Sequence, residues 1–87
     1  MKNRSRTEIV GNILDAANGG ATKTKIMYIA FLSYGQLREY LSILIEHNLL
    51  EYIEGTQTYR TTEKGINFLK IYSEIGELLQ TSIENDY

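Results

Sequence analysis

The sequence predicts a mainly α protein with one small β-hairpin, closed by a long C-terminal helix and folded as a single unit. Three observations predict it. Two tetrads, Ser5-Arg6-Thr7-Glu8 and Ser33-Tyr34-Gly35-Gln36, match the capping box and are each followed by apolar residues at helical spacing. After Asn48 the pattern changes to two short stretches of β-formers around a glycine-containing loop. From residue 63 onward, apolar residues cover about half of a helix circumference.

The elements follow in order. In the first helix, about residues 6 to 18, the Ser5 oxygen can accept from the third helical amide while Glu8 reaches back to the Ser5 amide. Ile9, Val10, Ile13, Leu14 and Ala17 then form one apolar stripe, and Asn18-Gly19-Gly20 supplies left-handed residues to end it. Thr22 or Thr24 can cap a short second helix that ends around Phe31, with Ile26, Met27, Ile29 and Ala30 facing inward and Lys23 and Lys25 exposed. Ser33 opens a third helix whose inner positions are Leu37, Tyr40, Leu41, Leu44 and Ile45. Leu50 to Glu54 and Thr58 to Thr61, joined by Gly55-Thr56-Gln57, give the hairpin. Thr61 or Thr62 caps the last helix, whose apolar positions are Phe68, Leu69, Ile71, Tyr72, Ile75, Leu78, Leu79 and Ile83.

Composition narrows the chemistry. With 87 residues, 43% hydrophobic and 23% charged, the chain fits one globular domain. A domain of this size buries only about two-thirds of its unfolded surface. There is no Cys, so neither a disulfide nor a thiolate metal site can add to the margin, and dimerisation is the expected reinforcement. His47 is the only histidine, which excludes a zinc cluster, and it reads as a residue in the last turn of a helix. No nucleophile signature surrounds it, and Gly19-Gly20 lacks the spacing of a phosphate-binding loop, so neither an enzyme nor a metal or other cofactor is expected. The longest apolar run, Ile26 to Leu32, has seven residues, against the roughly 20 that cross a bilayer. No membrane association is expected, and the N-terminus does not have the form of a secretory signal.

Two amphipathic helices joined by a tight turn have the form of a helix-turn-helix, and three helices followed by a two-stranded wing give the winged variant. Turning the third helix so that Leu37, Leu41 and Leu44 face the core leaves Gly35, Arg38, Glu39, Ser42 and Glu46 outward, where a recognition helix meets a major groove. Arg38 is the natural guanine reader or phosphate clamp. Residues 1 to 40 carry six bases (Lys2, Arg4, Arg6, Lys23, Lys25, Arg38) and three acids, whereas residues 41 to 87 carry three bases and eight acids. The basic half can collect phosphates by releasing condensed counterions, while Glu39 and Glu46 keep nonspecific affinity modest and salt-sensitive. On the wing, Thr56, Gln57, Thr58 and Arg60 could touch sugar or phosphate, or serve only as turn residues. Tyr28, Tyr34, Tyr40, Tyr52 and Tyr59 recur through the middle of the chain and are expected mostly in the core, not as base-stacking platforms. Phe68 and Ile75, like Tyr72 and Leu79, fall seven apart, giving about two heptads before Ser82 and Asp86 break the pattern. One edge of that wide stripe can pack on its own domain while the other pairs with a second chain.

Lys23-Thr24-Lys25-Ile26-Met27-Tyr28, Leu32-Ser33-Tyr34, Leu49-Leu50-Glu51 and Tyr59-Arg60-Thr61-Thr62-Glu63-Lys64-Gly65 resemble the archaeal winged-helix family of predicted transcriptional regulators, which includes the small dimeric ten-kilodalton DNA-binding proteins of Sulfolobus chromatin. The resemblance covers about residues 5 to 80. It implies double-stranded DNA binding through the third helix and the wing, with dimerisation by antiparallel pairing of the last helices. Residues 1–62 would form the DNA-binding part and 63–87 the dimerisation helix of the same unit. The candidate DNA-binding residues are Arg4, Arg6, Lys23, Lys25, Ser33, Tyr34, Gly35, Arg38, Glu39, Ser42, Thr56, Gln57, Thr58 and Arg60, and the candidate dimer-interface residues are Phe68, Leu69, Ile71, Tyr72, Ile75, Leu78, Leu79 and Ile83. The leading expectation is a homodimeric transcriptional regulator of the cytoplasm, associated with the nucleoid. Its rivals are a protein-interaction module that never touches DNA and a nonspecific chromatin protein.

Overall fold

A computed structural model describes residues 4–85, with side chains described for residues 4–79. The elements run α1 (Arg6–Ala16), α2 (Lys23–Ala30), α3 (Tyr34–Glu46), β1 (Leu50–Ile53), β2 (Thr58–Thr61) and α4 (Glu63–Asn85). This is the expected architecture: helices with one two-stranded antiparallel hairpin.

Both capping boxes form. Glu8 N–H donates to Ser5 Oγ at 3.1 Å and Ser5 N–H to Glu8 Oε1 at 2.9 Å, with the same exchange between Gln36 and Ser33. α1 stops two residues before the expected end, because the Ala17 amide already closes the last turn and Gly19 and Gly20 take φ of 90° and 105°, which a β-carbon would oppose. Thr22 caps α2 through the Lys25 amide, and Thr62 caps α4 through the Gly65 amide at 3.1 Å. Phe31 takes the left-handed conformation that ends α2.

The core lies between the helices and the base of the hairpin: Ile13, Leu14 and Ala17 of α1, Ile26 and Ala30 of α2, Leu37, Leu41 and Leu44 of α3, and Leu50 of β1. Two inward placements fail. Ile29 and Ile45 are exposed, because the buried lines run through Ile26–Ala30 and Leu37–Leu41–Leu44 and each isoleucine falls to one side of its line. The tyrosines also depart from expectation. Tyr40 and Tyr59 pack against the core, whereas Tyr28, Tyr34 and Tyr52 stand exposed. Small aliphatic residues already fill the inter-helix space, leaving no room for most of the phenol rings.

The hairpin pairs Leu50 with Thr61, Glu51 with Arg60, Tyr52 with Tyr59 and Ile53 with Thr58. Its turn uses Gln57, at φ 54°, as the left-handed residue, rather than Gly55. Ala21, between α1 and α2, adds a third edge: its amide donates to Tyr59 O at 2.9 Å and its carbonyl accepts from the Tyr59 amide at 2.8 Å. This bridge seats the wing against the start of α2. α4 leaves the wing under close packing at Gly65 and crosses α1 where Tyr72 lies over Gly11.

Candidate nucleic-acid interface

The Ser33 capping box fixes the start of α3, so the exposed face of that helix has a defined direction. Gly35, Arg38, Glu39, Ser42 and Ile43 line one shallow groove along it. Arg38 makes no hydrogen bond or ion pair among the described residues, so its guanidinium is available to an anion in the groove.

Lys23 of α2 lies beside the start of α3. Lys23 Nζ sits 5.1 Å from the centre of the Tyr34 ring and donates to Tyr34 Oη at 3.5 Å, which joins the first turn of α2 to the first turn of α3. Beyond it, Thr22, Lys23, Thr24, Tyr52, Thr56, Gln57 and Tyr59 surround a second hollow between α2 and the wing. The Tyr52 and Tyr59 rings, 5.0 Å apart, form its wall. The Lys23–Tyr34 contact thus stands between the α3 groove of Gly35, Arg38, Glu39 and Ser42 and the hollow beside Thr56 and Gln57. From the α1 side, Arg6 reaches the same helix beside Gln36, Glu39, Tyr40 and Ile43.

Several of the other candidate residues have partners within the chain. The Arg60 side chain donates to Glu51 Oε2 at 3.1 and 3.2 Å, on the wing face opposite its neighbour Tyr59, so its charge is already matched. Arg4 Nη2 donates to Phe31 O at 3.0 Å, at the joint between α2 and α3. The Ser33 hydroxyl is committed to the cap, and the Thr56 and Thr58 hydroxyls bond each other at 2.7 Å. Lys25 is exposed on α2, whereas Lys23 is half-buried. Thr22, Thr24 and Tyr52 join the surface although their residue types and places in the sequence mark them as caps or core. Only the non-local Ala21–Tyr59 bridge brings them together, and no local pattern encodes it.

From residue 16 to residue 38 there is no Asp or Glu, while Lys23, Lys25 and Arg38 fall within or at the end of that stretch. Glu39 is the acid that borders the groove. Among the described residues no group of His, Cys, Asp and Glu could hold a metal ion, and no helix is long and apolar enough to cross a membrane.

A second surface lies on α4. Phe68, Leu69 and Tyr72 are half-buried against the body, with the Phe68 and Tyr72 rings stacked at 6.2 Å. Ile71, Ile75, Leu78 and Leu79 are 50–67% exposed, a run of large apolar side chains left uncovered among the described residues. The side chain of Ile83 lies outside the described residues.

A helix-turn-helix with an exposed second helix, a wing seated beside it and an acid-poor face define a class, and the match to known families agrees: a family model described as winged helix-turn-helix covers residues 3–80, and the chain belongs to that family. Among solved structures it is similar to the crystal structure of Sso10a-2, a DNA-binding protein from Sulfolobus solfataricus, with a TM-score of 0.77 and 25% identity over 94% of this chain and 92% of that one. Both findings agree with the archaeal winged-helix resemblance drawn from the sequence. No curated protein matches the chain in sequence.

Proposed function

We propose that the chain binds double-stranded DNA as a homodimer and acts as a transcriptional regulator, by positioning and without catalysis or a cofactor. The observation that carries DNA binding is the groove on α3, where an unpaired Arg38 stands between Gly35 and Ser42 on an otherwise exposed helix face. Gly35 lets the helix approach a duplex closely, Arg38 supplies a fork for guanine or phosphate, and Ser42 can donate or accept. Lys23 and Lys25, at the start of α2, and Thr56 and Gln57, on the wing, would meet the flanking sugar-phosphate backbone. The likeness to Sso10a-2, described as DNA-binding, supports the same reading.

Dimerisation rests on Ile71, Ile75, Leu78 and Leu79 of α4, which a second copy would cover through a two-fold contact. Such a dimer offers two α3 helices to one duplex, and its place in the cell is then the nucleoid.

The test is a duplex titration at low salt with wild type and Arg38→Glu. Binding that weakens at least about fivefold in the variant, with an unchanged unfolding temperature, is the expected result, since removing one phosphate- or base-directed charge costs about 1–3 kcal/mol. Equal affinity removes the assignment of α3. Absence of any salt-dependent binding by the wild type replaces the whole reading with that of a protein-interaction module.

A further inference from the structure

We propose that Phe31 is an aromatic wedge against duplex DNA, presented with Tyr28 at the joint between α2 and α3. The inference rests on the DNA-binding function above. Phe31 has φ 54° and ψ 53°, a left-handed conformation in which a β-carbon crowds the backbone and which glycine or asparagine usually takes. The tight joint of a helix-turn-helix often holds glycine. Here it holds a bulky ring that is 76% exposed, and Tyr28, one turn earlier, is 79% exposed. The left-handed backbone ends α2, a task glycine would do without strain, and the two exposed rings add no packing to the core. Residues kept in such conformations cluster where strain serves a function.

The surroundings say what these rings would meet. Between residues 16 and 38 the chain has cations but no acids, and Arg4 holds its guanidinium against the Phe31 carbonyl. A cationic surface bearing aromatic rings fits a polyanion that also has planar apolar faces, which is a nucleic acid. Position narrows the choice further. Phe31 lies three residues before Tyr34, at the N-terminal end of α3, the end of a recognition helix that approaches base edges. A protein docked there would displace the duplex from α3. Apolar side chains inserted between base steps, as minor-groove proteins insert them, open the step and kink the duplex. The Phe31 ring extends into solvent just ahead of α3, and in the proposed complex it takes this part.

The test uses Phe31→Gly, which removes the ring and the strain together. Thermal unfolding, low-salt titration of an end-labelled duplex and the bend angle of that duplex by energy transfer are measured for wild type and variant. The expected result is an unfolding temperature equal to or above wild type, an affinity lower by about tenfold, in line with one lost aromatic–base contact, and a lost bend. The wild type should also prefer a duplex with one mismatched pair, because the mismatch lowers the cost of unstacking, and the variant should not. Phe31→Asn, which tolerates the same backbone, repeats the comparison should the glycine variant misfold. Wild-type affinity, bend and mismatch preference in the variant overturn the wedge. An unfolding temperature lowered in both variants also overturns it, since the ring would then serve the fold. If Arg38→Glu loses binding and Phe31→Gly keeps it, the wedge alone fails. If the wild type binds no duplex, the DNA-binding reading fails and takes the wedge with it.

Discussion

Thr61 is the buried polar side chain among the described residues, and its surroundings explain why a hydroxyl is needed there. The Asn18 amide turns to Asp15 O at the end of α1, so Leu14 O takes its hydrogen bond from Thr61 Oγ1, at 2.6 Å. Thr61→Val keeps the shape and strands that carbonyl. We expect a loss of about 1–3 kcal/mol, visible as an unfolding temperature several degrees lower. Gly65 is fixed by space. A β-carbon there would run into Leu49 O and stand 2.6 Å from Thr61 Cγ2. Gly65→Ala should cost roughly 1–3 kcal/mol through overpacking, whereas Gly76→Ala, which meets nothing, should stabilise α4 by up to about 1 kcal/mol. Denaturant midpoints of the two variants, moving in opposite directions, check both. At this scale the sequence was least legible. Ile29, Ile45, Tyr28, Tyr34 and Tyr52 look like core residues by type, yet the isoleucines fall to one side of the buried lines of their helices and the phenol rings stand outside a core of aliphatic residues.

The helices were legible because their ends carry chemistry that acts within four residues. Ser5-x-x-Glu8 and Ser33-x-x-Gln36 satisfy orphan amides at both α1 and α3, and Thr22 does so alone at α2. Ser33→Ala should therefore cost about 1 kcal/mol of stability, measurable in urea, and should loosen the start of α3. It should also weaken duplex binding, because Tyr34, Gly35 and Arg38 take their direction from that cap. For α4 the periodicity gave existence and apolar width, while the split between a half-buried edge of Phe68, Leu69 and Tyr72 and an exposed edge of Ile71, Ile75, Leu78 and Leu79 depends on how the helix crosses Gly11 of α1. Removal of the residues after Tyr72 should convert a dimer to a monomer in sedimentation equilibrium. A dimer that persists would move the contact off α4.

In the whole molecule, opposite charge is separated along the chain: the basic excess lies in residues 1 to 40 and the acidic excess in residues 41 to 87. Such a separation lets a chain of net charge −2 still present a positive face. Duplex affinity should fall steeply with salt, and Lys25→Ala should reduce the slope of log affinity against log salt by about one per protomer, uniformly across sequences. A slope unchanged by that substitution would place Lys25 away from phosphate. By itself the sequence determined the element order, the capped ends, the outward set Gly35, Arg38 and Ser42, and the winged helix-turn-helix class, because caps, turns and periodicity are local interactions written in adjacent residues. Only the tertiary structure decided that Ala21 pairs with Tyr59 to seat the wing beside Lys23, that Arg60 is matched by Glu51 on the other wing face, and that Tyr28 and Phe31 stand in solvent. Each of these depends on which distant segments come into contact and how much room the core leaves, and spacing along the chain holds no record of either.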